Sequence, residues 1–119
     1  MMRYETWEAL RQDCPLREGV WDRERLKEYL IQCCNVRFAR PLEAFFANYR
    51  EDEVLADLLF NFLLCDDYDG SDCQIGAAQV IRGLDRAVLR KKRALVLQAQ
   101  KNEVFGKRPF GPKEDLSWL

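Results

Sequence analysis

Four carboxylates, a glycine and two thiols fall within the nine residues Cys65-Asp66-Asp67-Tyr68-Asp69-Gly70-Ser71-Asp72-Cys73. Such a stretch has the ingredients of a metal site. A calcium loop of the EF-hand kind needs acids at positions one, three and five, glycine at six and a bidentate glutamate at twelve. Aligning Gly70 to position six puts Asp67 and Asp69 at three and five, but Cys65 at one and Gly76 at twelve. A thiol is a poor ligand for a hard cation, and glycine has no side chain to close the cage. Zinc fits worse: Cys65 and Cys73 stand eight apart, no C-x-x-C pair occurs, and the chain contains no histidine. No metal is expected.

Catalytic chemistry is equally thin. Five cysteines (14, 33, 34, 65 and 73) read as reduced thiols, and a cysteine nucleophile needs a base that an absent histidine cannot supply. Cys33 and Cys34 are adjacent on a helix, so their side chains diverge by about 100°. Glu53 and Asp57, at i and i+4, could form an acid–base pair, but such pairs commonly decorate an exposed helix face. No glycine-rich phosphate loop and no dinucleotide fingerprint is present. The expectation is a non-enzymatic protein without a cofactor.

The elements that must carry these residues are helical. Tyr4, Trp7 and Leu10 repeat at threes within 3–14, before Pro15. Leu26, Tyr29, Leu30, Cys33 and Cys34 make an apolar stripe in 22–36, with Asp22 placed as its cap. A third helix is expected to open at Pro41 and a fourth to span 52–65 behind Asp52. Ser71-Asp72-Cys73-Gln74 reads as a capping box for a fifth helix over 73–84, in which Gly76-Ala77-Ala78 suits a close helix crossing. Gly83 and Asp85 would end this helix and cap a sixth, 86–105, although one long helix would also fit. The fold class is thus an all-α, single-domain bundle of five or six helices. The hairpins 42–64 and 73–105 leave room for HEAT-like packing. Residues 1–105 would form the helical domain. Residues 106–119 would be an irregular tail whose Phe110, Leu116, Trp118 and Leu119 should dock on the bundle or on a partner.

Charge is the most informative feature. Residues 51–81 carry eight acids and no base, whereas 82–101 carry seven bases against Asp85; the net charge of −1 conceals the split. Arg82, Arg86, Arg90 and Arg93 would share one helix face and suggest a nucleic-acid-binding alternative, as does RKKR at 90–93. No aromatic residues interleave with that stripe, so it reads better as a solvated face pairing with the chain's own acids. The loop 65–73 reads as an interhelical turn, yet a turn does not require Asp66, Asp67 and Asp69 all to be acidic. Their repulsion asks for a cation or a basic partner.

A short, histidine-free helical chain with this DDYDGSD patch between helices resembles the small bacterial immunity proteins of contact-dependent growth inhibition systems. The resemblance implies an inhibitor that masks a basic cognate toxin, often a nuclease, using the acidic segment 51–72. Asp66, Asp67, Asp69 and Asp72 would then be rim contacts around Tyr68, with Glu53 and Asp57 alongside. A carboxylate-based metal-binding protein is the remaining alternative. The start of the chain carries acids without an apolar core, and the most apolar run, 54–65, is too short to span a bilayer. A soluble, cytoplasmic protein is expected, with nucleic acid and membrane disfavoured as partners.

Overall fold

The computed structural model describes residues 4–65 and 71–119. Their order is α1 (Trp7–Gln12), β1 (Leu16–Arg17), β2 (Val20–Trp21), α2 (Arg23–Gln32), α3 (Ala39–Ala47), α4 (Glu53–Leu64), α5 (Ser71–Arg82), α6 (Arg86–Lys91) and α7 (Arg93–Gln100). A short 3-10 turn, Phe105–Lys107, leads into the tail. Among the described residues the fold is all-α apart from one small hairpin.

Short oxygen-bearing side chains set the helix starts. Thr6 accepts from the Ala9 amide at 3.2 Å, Asp22 from Arg25 at 3.0 Å, Asp52 from Leu55 at 2.9 Å and Asp85 from Ala87 at 2.9 Å. Each satisfies an amide that has no partner inside its own helix. Helix α3 begins two residues before Pro41, behind Phe38, and uses no side-chain cap. Pro41 therefore sits in the first turn, where its missing N–H costs nothing.

The core is organised around α5, which packs against α2 on one side and α4 on the other. Leu26, Tyr29 and Leu30 from α2 and Leu55, Leu59, Phe60, Phe62 and Leu63 from α4 are buried against Cys73, Ala77, Ala78 and Ile81. The small residues at 76–78 permit this close crossing, as their spacing predicted. Because α5 is shared, the successive hairpins anticipated over 42–64 and 73–105 are not the units of assembly. An aromatic cluster joins the other elements, with Tyr29, Trp21 and Tyr49 all edge-on or tilted against Phe45.

Two elements differ from the sequence expectation. Residues 16–21 form a hairpin, Leu16 opposite Trp21, whose turn residues Glu18 and Gly19 have φ of 52° and 79°. Two left-handed residues give the turn a twist that matches paired strands. The anticipated helix over 86–105 is divided at Lys92, which leaves helical geometry at φ −114° and ψ 26°.

Candidate functional site

Of the acidic loop, Asp66, Asp67, Tyr68, Asp69 and Gly70 lie outside the described residues, but both flanks are defined. Helix α5 starts at Ser71, two residues earlier than expected. Gln74 is buried and its amide donates to the carbonyls of Cys65 at 2.8 Å, Leu63 at 3.3 Å and Phe62 at 3.4 Å. The residue assigned by sequence to cap α5 thus serves the C-terminal end of α4, whose carbonyls lack intrahelical partners. It ties together the two helix ends that the loop joins.

Asp72 is exposed at this junction and forms no ion pair with a described residue. Its backbone oxygen accepts from the Cys34 thiol at 3.4 Å, bringing the end of α2 to the same place. Although Cys34 is exposed as a residue, partial desolvation of its thiol, and then the Asp72 charge, raise its pKa. Burial pushes the Cys73 thiol up to about 11, against the opposing pull of Lys27 and Arg23 from α2. Cys33 is pushed up to about 12, again mainly by burial. These thiols are therefore neutral near pH 7, and neither Cys33 nor Cys73 is an activated nucleophile. The five cysteines are all free. Among the described residues no group of three or more acidic, cysteine or histidine side chains is arranged to hold a metal ion.

Glu53 and Asp57 do not join Asp72. They lie in the first turns of α4, while the loop leaves its last turn, a separation of roughly 16 Å for Glu53 at the helical rise. Both are already answered by bases. Lys91 Nζ lies 3.4 Å from Glu53, and Lys92 Nζ lies 2.6 Å from Asp57. The sequence pattern placed all seven residues in one acidic surface. Of the three that lie among the described residues, Glu53 and Asp57 are separated from Asp72 by the length of α4.

The arginine stripe is also rearranged. Arg82 ends α5, Arg86 and Arg90 lie on α6, and Arg93 opens α7, so no single helix face carries the four. Three of them meet the C-terminal tail instead. Arg82 is ion-paired with Glu114, the Arg86 guanidinium lies 4.8 Å from the Trp118 ring centroid, and Arg90 Nε donates to the Trp118 carbonyl at 2.7 Å. Phe110 is buried and packs edge-on against Trp118 at 5.6 Å, while its amide donates to Gln100 at 2.9 Å. The tail docks on the chain's own bundle, one of the two outcomes its apolar residues implied. The aromatic partners that the stripe lacked by local spacing arrive from 28 or more residues away.

Sequence reasoning gave no sign of a half-open cavity of about 410 Å³ between α3 and α5, lined by Cys33, Phe46, Arg50, Val80, Arg82 and Leu84 among others. Its walls come from two segments, 33–50 and 79–84, too far apart in sequence for periodicity to connect. No helix among the described residues is long and apolar enough to cross a membrane. No family model, no curated protein and no solved structure matches the chain.

Proposed function

We propose that this chain is a non-enzymatic protein-binding module of the immunity-protein kind, which covers a basic, nuclease-like surface of a cognate bacterial toxin in the cytoplasm. The contact surface is the acidic junction between α4 and α5: Asp66, Asp67, Asp69 and Asp72, with Tyr68 as its aromatic anchor. One observation carries the choice of this end. Asp72 is exposed there without an ion pair among the described residues, whereas Glu53 and Asp57 at the far end of α4 are matched by Lys91 and Lys92. A surface that binds phosphates must be cationic, so its blocker is favoured by local negative charge that steers association and fixes register.

The test is affinity against salt. The full chain should retain a basic protein from its own cell extract at low ionic strength. Replacing Asp66, Asp67, Asp69 and Asp72 by Asn should weaken that complex and flatten its salt dependence. Glu53→Gln with Asp57→Asn should do neither. Equal behaviour of the two sets would sink the proposal.

A further inference from the structure

The C-terminal tail meets the arginine face as a ligand meets a site. Its acidic group, Glu114, lies on Arg82, its indole, Trp118, lies on Arg86, and its backbone oxygen at Trp118 accepts from Arg90. Carboxylate on guanidinium, ring on guanidinium and carbonyl on guanidinium are three recognition modes of arginine, used here side by side. The floor between the arginines is apolar, made by the buried Leu84 and Leu89.

Leu116, Trp118 and Leu119 are only partly buried where they meet the core, and three features leave the segment lightly held. Phe110, buried and fixed through Gln100, is the anchor, and Gly111 and Pro112 follow it directly. Beyond that point the segment adds no helix or strand, and its backbone–backbone hydrogen bonds are internal, Glu114 to Gly111 and Leu119 to Leu116. Its principal ion pair is open to water, with the Arg82 and Glu114 side chains 54% and 37% exposed, and exposed pairs hold weakly. The site is also open beside the segment. A space of about 360 Å³ remains between Arg82, Arg86, Leu89, Phe110 and Trp118.

We propose that the face formed by Arg82, Arg86 and Arg90 is a binding site for a short acidic peptide bearing an aromatic residue, with residues 112–119 as its displaceable occupant in cis. The site is distinct from the acidic junction and does not depend on the function proposed for that junction. A peptide from another chain that places a carboxylate and a larger aromatic side chain at the spacing of Glu114 and Trp118 can make the same contacts and fill the remaining space. A phosphate backbone fits less well. It offers nothing for Leu84 and Leu89, and Trp118 would leave with the displaced segment.

The experiment uses the full chain and a fluorescent synthetic peptide of residues 110–119. Tethering gives the cis segment an effective concentration near millimolar, so the unaltered protein should bind the peptide weakly. The variant Glu114→Ala, Trp118→Ala loosens the occupant and leaves the arginines in place; it should bind about tenfold or more tightly than the unaltered chain. Adding Arg86→Ala should abolish that gain. In the unaltered chain, excess peptide should speed tryptic cleavage after Lys113 as the segment is displaced, which gives a readout without any substitution. The proposal is overturned if the loosened variant binds no better, if Arg86→Ala has no effect, if cleavage is unchanged, or if a single-stranded oligonucleotide of equal charge binds as well as the peptide.

Discussion

A side-chain carbon added at Gly76 would lie 1.9 Å from the carbonyl oxygen of Leu30. That oxygen belongs to the backbone of α2, so the obstacle cannot rotate away as a flexible side chain would. The glycine sets the separation of α2 and α5, the pair around which the core closes. Gly76→Ala should therefore cost about 3 kcal/mol or more despite the better helix propensity of alanine. Urea unfolding checks it: a midpoint within error of the parent would mean the helices separate freely. Gly83→Ala, whose added carbon comes no nearer than 3.5 Å to Val80, is the control that should be mild.

Asp52 holds two elements at once. One carboxylate oxygen caps α4 at the Leu55 amide, and the other accepts the Trp21 indole N–H at 3.0 Å. Replacing Asp52 by Ala removes the cap and strands the indole donor, at about 2 kcal/mol together, or roughly 8 °C in Tm. Trp21→Phe leaves the cap intact, and the two changes should be non-additive in a double-mutant cycle because they share one hydrogen bond.

What could be read from sequence follows the reach of the interactions. Asp22, Asp52 and Asp85 were legible as caps because a cap acts on amides two or three residues away. The small residues at 76–78 were legible because helical spacing already puts them on one face. The hairpin was not, since strands of two residues show no period and Glu18 adopts a left-handed φ that its residue type does not advertise. The S-x-x-Q spacing marks Gln74 as a helix-end residue but does not show that its amide serves the end of α4. Its partner carbonyls on α4 become neighbours only after α4 and α5 pack. The surroundings of the arginines were hidden for the same reason: they depend on the helix breaks at 83–85 and Lys92 and on a tail that arrives from the end of the chain.

Lys91 and Lys92 pair with Glu53 and Asp57 across α4 and α6, but the two acids remain largely open to water. Such pairs contribute little. Glu53→Gln and Asp57→Asn should each change unfolding free energy by less than about 1 kcal/mol at moderate salt, with the difference shrinking further at 1 M salt. A larger, salt-insensitive loss in thermal unfolding would show that these contacts do more than surface pairing.

Burial holds the thiols of Cys33 and Cys73 and the hydroxyl of Tyr29 in their neutral forms. A group raised in this way contributes stability that is fully present below its ordinary value and lost as pH climbs through the folded one. For the thiols that window runs from 9.0 to about 11 for Cys73 and about 12 for Cys33. Within it each group should subtract about 1.4 kcal/mol per pH unit. Denaturation compared at pH 8 and pH 10 should show this loss, and Cys73→Ala should remove one share of it. Alkylation at pH 8 should leave Cys73 unmodified until the protein is unfolded, while the exposed Cys34 reacts in the native state.

Glu114 titrates in the opposite sense. The Gly111 amide, which donates to its carboxylate at 3.0 Å, and then Arg82 hold its pKa below the ordinary 4.5. A lowered acid stabilises the docked tail above the ordinary value, and that contribution fades as pH falls through the depressed one. The terminal segment should therefore loosen in acid before the core unfolds. The Trp118 indole resonance should report it, broadening or shifting as the pH falls below the ordinary 4.5 while those of Trp7 and Trp21 hold. Glu114→Gln keeps the shape and removes this titration, leaving that of Asp115, which Ser117 and then Arg86 also hold below its ordinary value. In that variant the Trp118 signal should already lie nearer the acid form at neutral pH and should change less on acidification than in the parent. If Trp118 moved only together with Trp7 and Trp21, the tail would be an inseparable part of the core rather than a segment held on its surface.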